Sequence, residues 1–342
     1  MKKPKNYIEH TGKAVETDER FKYEMAITLD PTSGYREGII RCITSRTGDP
    51  GMHGNVDRSE LHKIKGDSLE RFKIGEHLKI KNEDEIVSKL TGEGGDFIGL
   101  EDPDIWIDDR TGLMHVYFTI PIFTKKREQI AIHLGHAVGR DMNSLEMTEP
   151  TLLSVPGTEQ SAKEVSIAPI NKKGIRYNLI ESYAKGARGH NGYSTVRVAI
   201  TEDMGKPWEY GETIFHPGKH DIPWIGEHAS PGPLLSKDFL DVGEGKLAGF
   251  INGREAGYEE DGIMKHGIFS VGLFIYDYEN GKIDWVSPEP FIRDSEAKNI
   301  TFASQFVEQG KGSGILYAHV DDSFVRAYTI DAEKIRPLLT GS

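Results

Sequence analysis

One cysteine stands in the 342 residues, Cys42, so the chain has no intrachain disulfide and no paired-cysteine metal or redox motif. No stretch approaches the run of about 18 apolar residues that a membrane-spanning helix requires. The basic opening Met1-Lys2-Lys3-Pro4-Lys5 runs into Asn6, Tyr7, Ile8, Glu9 and His10 without an apolar region, so it does not read as a secretory signal. Positive charge is in deficit: 42 Lys and Arg against 54 Asp and Glu give a net charge of −12. Such a surface repels nucleic-acid phosphates and anionic lipid headgroups, which removes both as expected partners. A cytoplasmic placement is the simplest expectation. Gly92-Glu93-Gly94-Gly95 lacks the Lys-Ser/Thr of a phosphate loop, and His133 and His136 have no second cluster or HExxH companion. No metal and no cofactor are expected.

Turn formers, by contrast, are plentiful. The 38 Gly and 16 Pro are spread along the chain, which suits many short strands joined by turns better than long helices. A unit recurs: a short apolar strand, a turn, a second apolar or aromatic strand, then a third. One copy holds Ile39-Ile40-Arg41-Cys42-Ile43-Thr44. Another holds Asp104-Ile105-Trp106-Ile107 and Met114-His115-Val116-Tyr117-Phe118-Thr119, and similar copies follow near Val165, Gly232 and Asn299. Anchors at Glu101, Lys163, Ser230 and Asn299 are 62, 67 and 69 residues apart. A multi-strand repeat at that period is the pattern of a propeller, and the chain length accommodates five copies of about 68 residues. A generic β-sandwich would share the strand content but not the period.

The expectation is therefore an all-β, five-bladed β-propeller. No linker divides the chain, so residues 1–342 are expected to form one domain. The alternating strand Tyr23–Leu29 is expected to pair with the last blade and close the ring. Gly48–Arg58 and Gly253–Gly267 read as insertions over the central funnel, and 66–89 as including a helical turn or two.

In a propeller the innermost strands converge on the axis, so polar residues at one phase of each repeat meet in space. Glu101-Asp102-Pro103-Asp104, Lys163-Glu164, Gly226-Glu227-His228 and Asp321-Asp322 share that phase. Grouped carboxylates suit glycoside cleavage, which needs one group to deliver a proton and another to activate water. Like charges also raise one another's pKa and keep an acid protonated. Asp and Glu favour strand ends and turns in any case, so a single one would carry no weight. Aromatic residues supply platforms for pyranose rings. Trp224, Tyr183, Tyr193 and Tyr258 are candidates, while Trp106, inside an alternating strand, reads as core. His228 and His319 flank the carboxylate positions.

Gly99-Leu100-Glu101-Asp102-Pro103-Asp104-Ile105 resembles the Glu-Asp-Pro-Arg-Ile motif of glycoside hydrolase family 130, the β-mannoside phosphorylases and mannosidases. Ala162 to Pro169, Lys246 to Gly253, Asn299 to Phe302 and Leu316 to Asp321 are similar to further segments of that family, in the same order, across roughly residues 36 to 330. The resemblance implies a five-bladed propeller and an inverting mechanism. It implies Asp102 as general acid and Asp321 as a sugar contact where cleavage occurs, with phosphate as nucleophile in the phosphorylases.

Departures from the pattern bear on the reaction. Asp104 replaces the motif's Arg, Glu164 and Glu181 stand where Asn and Arg are usual, and Asn252 replaces a His. Carboxylates repel a phosphate dianion, which calls for Arg or Lys donors, whereas a Glu can serve as base for water. The sequence thus leans toward hydrolysis of β-mannosides or related oligosaccharides, with Asp102 as acid and Glu164, Glu181 or Glu227 as base. The expected substrate contacts are Glu101, Asp104, Lys163, Trp224, His228, Asn252, Arg254, His319 and Asp321. Lys163 and Arg254 keep phosphorolysis open, with inorganic phosphate as co-substrate. A non-catalytic carbohydrate-binding propeller and a furanosidase are further alternatives. A homo-oligomer is compatible with the sequence.

Overall fold

A computed structural model describes residues 6–52, 54–125, 129–186, 192–310 and 312–340. Strand β1 (Tyr7–Glu9) precedes a first antiparallel unit of β2 (Tyr23–Leu29), β3 (Glu37–Thr47), β4 (Val56–Ser68) and β5 (Arg71–His77). Helix α1 (Glu83–Thr91) and β6 (Asp96–Phe97) lead into the second, β7 (Glu101–Ile107), β8 (Met114–Phe123), β9 (Ile130–Gly139) and β10 (Glu146–Met147). The third is β11 (Lys163–Ser166), β12 (Arg176–Ala184), β13 (Tyr193–Thr201) and β14 (Glu209–Phe215). In the fourth, β15 (His228–Leu234) and β16 (Lys246–Arg254) are followed by a hairpin, β17 (Tyr258–Glu260) and β18 (Ile263–Lys265), then β19 (Phe269–Asp277) and β20 (Lys282–Val286). The fifth is β21 (Thr301–Gly310), β22 (Ser313–Val320) and β23 (Phe324–Asp331), with α2 (Ala332–Thr340) after it. The class is all-β.

A correction concerns the N-terminus. Tyr23–Leu29 pairs with β3 as the first strand of its own unit. The strand that adds to the last unit is β1, with Tyr7 opposite Ile330 and Glu9 opposite Tyr328. This covers the outer edge of β23 and gives the fifth unit a fourth strand. Arg326 fixes the incoming segment through His10 O and Gly12 O, at 3.1 and 3.0 Å. The region 66–89 holds the expected helical turns in α1, after β5, and the acidic first turn of α1 (Glu83, Asp84, Glu85) suits the positive end of the helix dipole.

Each pair of neighbouring units buries its own apolar layer. Ile39 and Leu61 pack with Val116 and Phe118, Tyr117 and Leu134 with Ile180, and Leu179 and Val196 with Ile251 and Phe274. Phe250 and Leu273 meet Phe306 and Leu316, and Val307 and Tyr317 meet Ile27 and Phe72 of the first unit. The sequence of layers returns to its start. The first strands repeat this cycle, β2 against β7, β7 against β11, β11 against β15, β15 against β21 and β21 against β2.

All five first strands carry a register shift, at Met25/Ile27, Glu101/Asp104, Lys163/Ser166, Pro231/Leu234 and Ala303/Gln305. A bulge bends its strand and re-aims a side chain. In three of them a non-glycine residue takes the left-handed region: Ala26 (φ +51°), Asp102 (+48°) and Glu164 (+51°). That conformation costs free energy in a residue with a Cβ and collects at functional sites.

Candidate active site

The bulges set Asp102 and Glu164 into a cavity of about 220 Å3 at the N-terminal ends of the first strands. Its wall also includes Arg41, Lys163, His228, Arg254, His319 and Asp322. Over its mouth the two insertions meet. Met52 bridges Lys265, His266 N donates to Gly51 O at 3.0 Å, and Pro50, Asn55 and His266 complete the wall. Gly51 lies close under Asn299, where a Cβ would come within 2.4 Å of Asn299 Nδ2 and would push that side chain aside.

Arg41, from the middle of β3, organises the floor. Its Nη1 donates to Asp102 Oδ1 at 3.0 Å and its Nη2 donates to Glu101. Burial opposes the charge on Asp102, but Arg41, Lys163 and His319 outweigh it and hold the carboxyl below its usual range. Glu164 goes the other way. Burial, then the Asp102 charge beside it, pushes its pKa well up, so the protonated Glu164 donates a hydrogen bond to ionised Asp102. Burial also raises Glu101 to about 7 against the pull of Arg41. Two hydrogen-bonded carboxyl groups thus hold one proton between them near neutrality.

The other expected carboxylates stand behind cations. Glu181 lies 3.5 Å from Lys163 Nζ and 2.9 Å from His228 Nε2. Burial opposes its charge, and the His228 contact and Lys163 together pull it down to about 2. Burial lowers the pKa of His228 itself, which leaves Lys163 to supply the charge. Glu227 accepts from Arg254 Nη2 at 2.6 Å and Gly257 N at 3.0 Å, and lies 3.8 Å from His266 Nδ1. Burial works against it too, but these partners bring it to about 2. Both glutamates therefore aim Lys163 and Arg254 into the cavity, and the expected base role at either position is corrected: a base must face water, and these face cations.

Three further expectations are corrected. Trp224 is buried in the core, its Nε1 donating to Ser287 O at 3.0 Å, with its ring against Gly253 and Gly272. Asn252 is fully buried and spends its amide on the next unit, Nδ2 donating to Ala303 O at 3.1 Å and Oδ1 accepting from Ala303 N at 2.7 Å. Asp321 accepts from the backbone N–H groups of Lys298, Asn299 and Ile300, each at 2.9 Å, and so ties the loop before β21. Its neighbour Asp322 reaches the cavity instead, 3.7 Å from His319 Nε2. Asp104 sits beyond the bulge, in a second cavity.

Sequence reasoning passed over Arg41 and the aromatic wall residues Phe269 and Phe302, and it put Asp322 in phase with the site but gave the role to Asp321. Arg41 had a signal: a lone charge in the apolar run Ile39–Ile43 of an inner sheet. Tyr183 and Tyr258 are exposed, and Tyr193 packs on His216 at 4.6 Å. Trp106 is half-buried under Arg176, whose guanidinium stands 5.0 Å from the ring. The histidines of the sequence pair serve structure: His133 Nδ1 accepts from Ser154 N at 2.9 Å, and His136 lies between His115 and Thr148. Among the described residues no group of three or more His, Cys, Asp or Glu is placed to hold a metal ion, and no helix is long and apolar enough to cross a membrane.

No family model and no curated protein matches the chain at the level of sequence. Solved structures do match. The β-1,2-mannobiose phosphorylase from Listeria innocua, in complex with β-1,2-mannobiose, superposes with a TM-score of 0.68 at 12% identity, covering 98% of this chain and 100% of that one. A glycosyl hydrolase from Bacteroides ovatus gives 0.62 at 17% identity, covering 92% and 85%. An arabinanase from Bacillus subtilis gives 0.53 at 11% identity, covering 94% and 97%. At these identities the likeness establishes a shared fold.

Proposed function

We propose that the five units are the blades of a single five-bladed propeller domain and that the protein is an inverting glycoside hydrolase acting on β-mannosides or related oligosaccharides. The carrying observation is the Asp102–Glu164 pair: one carboxyl held protonated, its partner held ionised by Arg41, both on the wall of one cavity. A proton kept near neutrality on a buried carboxyl is what a leaving sugar oxygen requires. The pair acts as the proton donor. Asp322, the remaining carboxylate on that wall, is the group that activates water in this reading. Phe269 and Phe302 offer apolar surface to a sugar ring. The bridged insertions narrow the mouth and favour short oligosaccharides. Carbohydrate-cleaving enzymes among the fold relatives support the substrate class.

Charge balance favours water as nucleophile. Arg41, Lys163 and Arg254 each already have a carboxylate partner, so an incoming phosphate dianion has to compete with Glu101, Asp102, Glu181 and Glu227. Phosphorolysis is a second reading, supported by the gathering of Lys163, Arg254, His228 and His266 on the same wall. Incubation with β-linked mannobioses, with and without inorganic phosphate, separates the two. Hydrolysis releases mannose of inverted anomeric form without phosphate. Mannose 1-phosphate appearing only with phosphate rejects it, and no turnover of any β-mannoside rejects both.

A further inference from the structure

The Asp102–Glu164 pair belongs to two cavities. Besides the one under the insertions, both residues line a smaller space further along the first strands, about 170 Å3, beyond the bulges. One water needs only about 10–15 Å3 of such space, so a string of them fits. Its polar lining is Asp104, Ser166, Ser304 and Gln305. Trp106, Ile167, Leu234 and Phe306 line it too, and the same four line an outer groove of about 460 Å3, so the small cavity continues toward the surface. The pair therefore stands between the cavity under the insertions and a second one, of similar size, that opens on the other side of the bulges.

Asp104 is the carboxylate of that second space, two residues past Asp102 on the same strand. It has no ion pair among the described residues. Burial pushes it up to about 7, with the Ile105 backbone amide pulling the other way. From β8, Tyr117 stands opposite it in register. Glu164 approaches from β11 and Asp102 from its own strand, while the cavity faces of β2, β15 and β21 present uncharged Ala26, Pro231, Ser304 and Gln305. Arg176, on the wall of the outer groove, lies over Trp106 and donates to Ala168 O at 2.5 Å.

The geometry points to Asp104 and the cavity it lines as a proton path that restores to the Asp102–Glu164 pair the proton each turnover removes. This rests on the glycosidase reading above. In that reaction the C–O bond to the departing sugar breaks and its oxygen takes the pair's proton. Water adds its oxygen to the anomeric carbon and gives a proton to the opposing carboxylate, which loses it to solvent. Asp104 takes a proton from solvent on the far side and passes one through the water string to the pair. Protons balance and nothing is oxidised or reduced. Substrate fills the first cavity during this cycle, so a path from the other side recharges the acid without waiting for the mouth to clear. Asp104 touches no substrate; it is a relay and positioning residue.

The test compares wild type, Asp104→Asn and Asp104→Glu on a β-mannobiose, whose leaving group needs a proton, and on 2,4-dinitrophenyl β-mannoside, whose leaving group does not. Asp104→Asn should lower kcat on mannobiose about tenfold, a part of the range general acid catalysis spans. KM should stay unchanged, with the high-pH limb moved down and the solvent deuterium isotope effect increased. The aryl substrate should be cleaved at the wild-type rate, and Asp104→Glu should restore the mannobiose profile. Ser304→Leu, which puts apolar bulk into the small cavity without replacing a carboxyl, should show the same selective loss and decides the matter where Asp104→Asn does not fold. Wild-type cleavage of both substrates, with both variants either unchanged or equally impaired on the two, overturns the relay alone. Failure of wild type on both substrates overturns the glycosidase reading, and the relay with it.

Discussion

Lys163 and Glu181 face each other across the β11–β12 register, with Lys163 Nζ 3.5 Å from Glu181 Oε1. Burial alone would strip the charge from both, yet the pair holds Lys163 protonated and Glu181 ionised. Breaking a buried pair by removing one partner costs more than the pair contributes, because the other charge is left in a poor solvent. Lys163 keeps 29% of its side-chain exposure, which moves the cost to the low end of the usual range. Glu181→Gln should lower unfolding free energy in urea by about 3 kcal/mol. The double variant with Lys163→Met should recover most of that while staying inactive. A double variant destabilised by the sum of the two single changes would show that the two charges are not linked.

Glu164 carries the opposite sign. Its folded pKa lies above its unfolded value, so the stability of the protonated form is fully present below the unfolded pKa and is lost as pH rises through the folded one. Glu164→Gln cannot ionise and escapes that loss. Near pH 8 the variant should melt higher than wild type by about 1–3 °C, with the difference vanishing toward pH 4. Activity on mannobiose should fall at least about a hundredfold, the scale of a lost general acid. A variant less stable than wild type at pH 8 would mean that Glu164 is ionised in the resting protein.

Trp224 separates a structural aromatic from a sugar platform. Its indole N–H is satisfied inside the core and its ring lies on two glycine backbones, so Trp224→Phe leaves Ser287 O without its donor and a gap beside Gly272. The expected loss is about 2–3 kcal/mol of stability with KM for mannobiose unchanged. Phe302→Ala, on the cavity wall, should raise KM several-fold. A raised KM in Trp224→Phe at full stability would return the indole to the substrate.

The contrast between these two positions shows what a sequence reveals here. Strand alternation and turn spacing expose the repeat, because a side-chain period of two and a regular return of Gly and Pro survive when residue identity does not. Asp102, Lys163 and Glu164 were legible for the same reason, since the repeat phase marks where each first strand bulges. Facing was not legible. Trp224 follows Pro223 in a short 3-10 turn that swings it inward, and no periodicity reports that rotation. Glu227 shares the phase of the site and Glu181 lies opposite Lys163 on the next strand, but they are absorbed by Arg254 and Lys163, a choice set by which groups lie within ion-pair reach. Arg41 was hidden by its setting, a charge among isoleucines that reads as strand until its two carboxylate partners, 60 residues on, are in place.

Asp321 and Asp322 are consecutive, and both adopt left-handed backbone, φ +50° and +47°, at the turn after β22. Strand alternation no longer tells their side chains apart at such a turn. The structure divides their work. Asp321 accepts three backbone N–H groups of residues 298–300, so it holds the entry of β21. Asp322 lines the cavity beside His319. Asp321→Ala leaves three donors to find water and should cost about 2–3 kcal/mol of stability, with kcat largely retained at low temperature where the variant stays folded. Asp322→Asn should melt within about 2 °C of wild type, since a surface-scale polar change shifts stability little. Its kcat should nevertheless fall about a hundredfold or more, and added azide, a nucleophile that needs no base, should rescue turnover as glycosyl azide. Retained kcat in Asp322→Asn together with loss in a still-folded Asp321→Ala would reverse the assignment and move the water-activating role one residue back along the turn.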